Sequence, residues 1–184
     1  MRNENTAKTS SRIQTAFLYT VFICYGLLLL NLLLLSRISL PAFFSGQHAS
    51  IRTVNFIPFY SIWEYLSGVK NISPGTAFSN VGGNIIVFLP LGAFLALFKK
   101  DKRLLPNFLI VLGVSMTAEI IQGVFGIGAA DVDDVILNCL GGFLGILGCK
   151  ALRTLLGSEK NVRLTATIIC ALGLPYLLFL LFVV

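Results

Sequence analysis

Charge is scarce in this chain. Asp, Glu, Lys and Arg together supply 12% of 184 residues, against 56% that are hydrophobic. So few polar side chains cannot cover a globule in water, which excludes a soluble domain. Histidine is nearly missing as well: His48 is the only one, and it falls in a loop where it reads as solvated. The four cysteines, Cys24, Cys139, Cys149 and Cys170, show no C-x-x-C spacing and all lie in or beside apolar runs, which argues against a disulfide framework. The patterns H-E-x-x-H, G-x-S-x-G and the P-loop do not occur, and no cofactor or metal ion is expected.

What is present is a set of long apolar runs. A membrane span needs about 20 mostly apolar residues. Five runs qualify, at roughly 16–36, 81–98, 106–125, 135–151 and 164–184, the second and fourth being short and rich in small residues. The fold class expected is therefore all-α, a polytopic membrane helix bundle of about five spans. Residues 1–14 form a polar tail on the cytoplasmic side, its first 12 residues expected to lack regular structure, and 15–184 form the membrane domain. The first run follows Arg12 as a signal peptide would, but it is too long for a secretory h-region and no A-x-A site follows. It reads as an uncleaved anchor.

Orientation follows from the basic residues. Eleven of the fourteen fall before the first run, between the second and third, or between the fourth and fifth; only Arg37, Arg52 and Lys70 fall on the other side. The N-terminus is thus expected in the cytoplasm and the C-terminus outside, in the cell membrane. This bias accounts for the net charge of +6 without invoking nucleic acid, for which no continuous basic stripe exists.

The one long loop, 37–79, is then external. Within it Phe59, Ile62, Trp63 and Leu66 recur at helical spacing, predicting a short amphipathic helix on the outer surface, packed on the span ends or partly roofing them. Pro90 and Pro175 fall inside spans, where each removes a backbone donor. Gly141 and Gly145 form a small-x-x-x-small pair, and with Gly92 and Gly142 they mark sites where helices approach closely. The partner helix belongs either to the same bundle or to another subunit.

Polar residues interrupt the runs in two places. Asn80 and Asn84 open the second span; Glu119 and Gln122 lie near the end of the third, followed by Asp131, Asp133, Asp134 and Asn138. A carboxylate inside lipid costs about 2.5–3.5 kcal/mol on insertion scales, so Glu119 is expected to face protein or trapped water. Counting residues at 1.5 Å each puts Glu119 about 9–10 Å below the outer face, with Asn84 and Asn138 about one turn in. The pairs Asn80/Asn84, Glu119/Gln122 and Asp134/Asn138 each share a helix face, so three helices present polar faces that are expected to meet. Bland readings remain open: the Asp residues can cap the fourth helix, and the Asn residues can be plain interhelical hydrogen bonds. Glu119 can also serve as a general base or help hold a cation through oxygen ligands.

These residues resemble a known family. Residues 80–92 (NVGGNIIVFLPLG), 119–122 (EIIQ) and 131–142 (DVDDVILNCLGG), together with 55–59 (NFIPF), are similar to motifs of the VanZ-like family, in the same order, within a motif core at 52–150. The resemblance implies an integral membrane protein of the kind common in Gram-positive bacteria. Its founding member accompanies a vancomycin-resistance cluster and confers low-level resistance to teicoplanin, a lipid-tailed glycopeptide. Positions carried over are Asn84, Phe88, Pro90, Gly92, Glu119, Gln122, Asp131, Asp134, Asn138 and Gly142, without any catalytic assignment. One departure stands out: Gly128-Ala129-Ala130 occupy the place where many relatives carry an Arg. A cation, or Arg52 or Lys70, can replace it. The function expected is lowered susceptibility to such glycopeptides, or modification of the cell envelope, through an outward-facing polar site. Its partners would be membrane lipids, a lipid-linked wall precursor or a lipoglycopeptide. Alternatives are an intramembrane enzyme acting on a lipid headgroup, and an assembly partner that docks through Gly141 and Gly145.

Overall fold

The computed structural model describes residues 2–35, 54–67, 73–99, 103–126 and 128–183. They form α1 (Arg2–Leu30), continued by a π-helical turn at Asn31–Leu35, then β1 (Val54–Asn55) and α2 (Tyr60–Ser67). After these come α3 (Pro74–Phe98), α4 (Leu104–Phe125), β2 (Ala130–Asp131), α5 (Val132–Leu156) and α6 (Glu159–Val183). Among the described residues five helices, α1 and α3 to α6, are long and apolar enough to cross a membrane. The fold is all-α and polytopic, apart from one minimal parallel pairing of Val54 with Ala130 and Asn55 with Asp131.

Two boundaries differ from the sequence expectation. The polar stretch after Arg2 is helical and forms the start of α1. The second and fourth spans are not short: α3 and α5 have 25 residues each, because polar residues extend both helices past their apolar runs. At α3 the extension starts with Ser73, whose hydroxyl accepts from the Thr76 amide at 3.1 Å, followed by Pro74 in the first turn. An amide without an intrahelical partner is satisfied by the first, and a pre-set φ favours the second. Both α3 and α6 continue through their internal prolines, Pro90 and Pro175.

The chain divides into two packing units, Met1–Ser36 with Ala151–Val184, and Arg37–Lys150. In the first, α1 packs on α6, and the Arg163 guanidinium donates to the Thr15 hydroxyl at 3.1 Å. Leu18, Val21, Tyr25, Leu28 and Leu29 make one buried face of α1. Gly157, with φ of 62°, closes α5 in the left-handed conformation that glycine adopts without a Cβ penalty. Its amide donates to the Arg153 carbonyl, and the Arg153 side chain pairs with Glu159 at 3.1 Å across the turn.

The second unit is organised by glycine. A Cβ on Gly141 would collide with the Ile85 carbonyl, one on Gly145 with the Leu89 carbonyl, and one on Gly92 with the backbone of Gly142. Helices α3 and α5 therefore touch backbone to backbone. On its other side Gly142 receives Val111 of α4 at a distance that leaves no room for a side chain. Without water to drive association, close van der Waals packing of this kind holds spans together. Phe88, Val111 and Ile146 are fully buried. The Gly141/Gly145 face is thus occupied by α3 of the same chain.

Candidate functional site

Helix α4 carries Asn107, Ser115, Glu119 and Gln122 on its buried side, while the exposed Thr117 returns its hydroxyl to the Gly113 carbonyl of its own helix. Asn107, Val111, Ser115, Ala118, Glu119 and Gln122 are buried, while Leu105, Leu109, Met116, Ile120 and Val124 are exposed. In water this would be inverted; in lipid it is the favourable arrangement, since apolar side chains face hydrocarbon and polar ones face protein. Glu119 is only 7% exposed and Ser115 not at all.

The acidic turn between α4 and α5 draws several elements together. One Glu119 carboxylate oxygen accepts from the Asp131 amide at 2.9 Å, tying the end of α4 to β2. Asp131 accepts from the Asp133 amide at 2.9 Å, which caps the start of α5. The Asp131 carboxylate also receives the Asn55 amide group at 3.2 Å and the Ser61 hydroxyl. Asn55 in turn donates to Ser61 at 3.0 Å and accepts from the Ile57 amide at 3.1 Å.

Asp133 does something else. It is 1% exposed and does not cap its own helix. One of its oxygens accepts from the Phe59 amide, and the other from the Ile62 amide at 3.0 Å. These are amides at the start of α2, so a carboxylate from α5 caps a helix about 70 residues earlier in the chain. Phe59 has φ of 65°, a left-handed conformation uncommon for a bulky residue, and the Asp133 contact holds it there. Helix α2 and the turn before it are thereby fixed, with Phe56, Phe59, Trp63 and Leu66 exposed. An apolar face of that composition suits the membrane boundary.

The remaining polar residues pair between spans. Asn84 of α3 donates to the Asp134 carboxylate at 2.6 Å, and Asn138 of α5 donates to the Ser115 hydroxyl of α4 at 3.0 Å. Gln122 is buried at 1% exposure. Asn80 stays outside: it is exposed and donates to the Thr76 carbonyl one turn earlier. Asn138 and Asn107 each keep a side-chain oxygen buried with no hydrogen-bond partner among the described residues. Arg52 and Lys70, considered as replacements for the missing Arg, lie outside the described residues.

Sequence reasoning missed three contributors. Ser61 and Asn55 anchor the 54–62 segment on Asp131; Asn55 stood in the 55–59 stretch that resembles the family, without a role, and Ser61 carried no signal. Asn107 lies eight residues before Ser115 on the same face of α4, a position that helical periodicity alone would have revealed. Capping of the fourth helix was one reading left open for Asp131, Asp133 and Asp134; Asp131 does cap it, whereas Asp133 caps α2.

Beside Glu119 lies a groove of about 470 Å³ between β1, the end of α4 and the start of α5, with mostly apolar side chains on its walls. Among the described residues, no group of three or more His, Cys, Asp or Glu side chains could hold a metal ion. Chemically the site is a cluster of oxygen acceptors at one end of three spans, with an apolar groove next to it.

Comparison with known proteins places the chain. It is 44% identical to Protein VanZ of Enterococcus faecium over 89 residues, which make up 47% of this chain and 55% of that protein. The chain thus spans about half the length of the curated relative it matches. No solved structure matches it. The VanZ/LLP1 family matches residues 18–153, a stretch holding α3 and α4, most of α1 and α5, and every residue of the polar cluster. This multi-pass membrane protein belongs to the VanZ/LLP1 family.

Proposed function

We propose that this protein acts in the cell membrane, N-terminus inside and C-terminus outside, as an envelope protein that lowers susceptibility to teicoplanin-like lipoglycopeptides. Its outward-facing polar site would bind the headgroup of a lipid-anchored molecule, either the lipid-tailed antibiotic or the lipid-linked wall precursor that it targets. The observation that carries this reading is that Glu119 is tied to Asp131, and Asp131 and Asp133 to the 54–62 segment, while the adjacent Asp134 pairs with Asn84. Buried acceptors at a membrane boundary recognise a polar group at the point where a hydrocarbon tail begins. Orientation rests on the excess of basic residues in the loops assigned to the cytoplasm.

Expression in a susceptible Gram-positive host tests the proposal. Teicoplanin should inhibit growth less in cells carrying the protein, with vancomycin little affected, and Glu119→Gln and Asn84→Ala at matched abundance should abolish the shift. No shift for the wild type sinks the glycopeptide reading. Protection that survives in both variants separates the phenotype from the polar site.

A further inference from the structure

We infer that the groove beside Glu119 is the seat of a single hydrocarbon chain belonging to the amphiphile whose headgroup meets the polar cluster. The inference deepens the function proposed above and rests on it for the headgroup, though not for the tail.

The groove is continuous with a lipid-facing surface. Along α4, Leu105, Leu109, Met116, Ile120 and Val124 form one exposed stripe on a membrane-spanning helix. The last three also form one wall of the groove; Val54 and Phe56 of the outer segment and Val135 of α5 supply others. Gly123 lets the walls meet, because a Cβ there would stand 3.1 Å from that of Ala130. A space that opens from this stripe, at that depth, is filled from the hydrocarbon layer. At about 470 Å³ it falls among sites that hold small molecules, which run from about 300 to 1,000 Å³. Glu119 and Asp131 border the same groove, and the Asp131 amide donates to Glu119, but the surface open to the groove is almost wholly apolar. An occupant with its tail along Met116, Ile120 and Val124 would place only hydrocarbon in the groove, its headgroup lying beyond the edge that Glu119 and Asp131 border.

The energetics define what such a seat can do. Lipid tails are as apolar as the groove, so moving a tail from bilayer to groove gains little from the hydrophobic effect. The groove therefore selects by shape and sets direction, while affinity comes from the headgroup contacts.

The test uses the full chain in nanodiscs of phosphatidylethanolamine and phosphatidylglycerol, the latter carrying a diazirine midway along one acyl chain. A polyprenyl phosphate with the same group forms a second arm. After irradiation, adducts are mapped along α4. Leu109 is the control, since it lies as far from the midpoint of α4 as Ile120 does and is similarly exposed, but lies outside the groove. Adducts should concentrate at Met116, Ile120 and Val124. The groove-filling variants Ile120→Trp and Val124→Trp, both at exposed positions that tolerate bulk, should reduce the signal at the remaining groove positions to the Leu109 level. Whichever probe labels the groove identifies the chain as acyl or isoprenoid, and either supports a hydrocarbon seat. Equal labelling at Leu109 and Ile120, labelling unchanged by both variants, or crosslinks from this stripe to a second copy in place of lipid overturns it. Groove labelling that persists while Glu119→Gln and wild type fail alike against teicoplanin would refute the proposed function alone. Teicoplanin protection with uniform labelling would refute the tail seat alone.

Discussion

Asp133 offers the most direct check on how the site is built. Replacing it by Ala removes both acceptors from the amides of Phe59 and Ile62. Hydrogen bonds to a charged group contribute about 1.5–3 kcal/mol each. The two share one carboxylate and are not additive, so about 2–4 kcal/mol is a reasonable range for the pair. Phe59 also leaves its left-handed conformation when released, which favours opening further. The loss is local, because α3, α4 and α5 remain locked by their glycine contacts. At 1.36 kcal/mol per decade, amides of residues 60–67 should exchange roughly 30- to 900-fold faster, with those of α3 and α5 little changed. Hydrogen exchange in detergent or nanodiscs, read by mass spectrometry, measures this. Trp63, the only tryptophan, gives a second signal from the same helix. Asp133→Asn keeps an acceptor oxygen and should fall between wild type and Ala. Unchanged exchange in 60–67, or acceleration spread evenly over the spans, would refute the idea that Asp133 latches α2.

Gly141→Val and Gly145→Val should each separate α3 from α5 and cost more than the 1–3 kcal/mol of ordinary overpacking, because a carbonyl rather than a flexible side chain stands in the way. Thermal unfolding in detergent checks this, with Gly148→Ala, which meets nothing, as a neutral or slightly stabilising control. Asn84→Ala and Asp134→Ala should show a coupling of about 0.5–3 kcal/mol in a double-mutant cycle, since they share the 2.6 Å hydrogen bond; additive losses would mean that the contact contributes nothing of its own.

Much of this protein is legible in its residues. Scarce charge and five apolar runs dictate a polytopic helical protein, because in hydrocarbon every backbone amide must find an internal partner. The carboxylates and amides that interrupt those runs were legible for the same reason: lipid tolerates them only where something receives them. Span lengths were less legible, since 74–80 and 152–156, where polar and apolar residues mix, continue the helices without announcing it in hydropathy. Pairing was not legible at all. Nothing in the order of residues says that Asp131 caps its own helix while Asp133, two positions on, caps one some 70 residues earlier. Nor does it say that Gly141 meets Ile85 rather than a second protein. Sequence determines which groups must be satisfied. Only tertiary structure decides by whom, because hydrogen bonds and backbone contacts depend on distances that long-range packing sets.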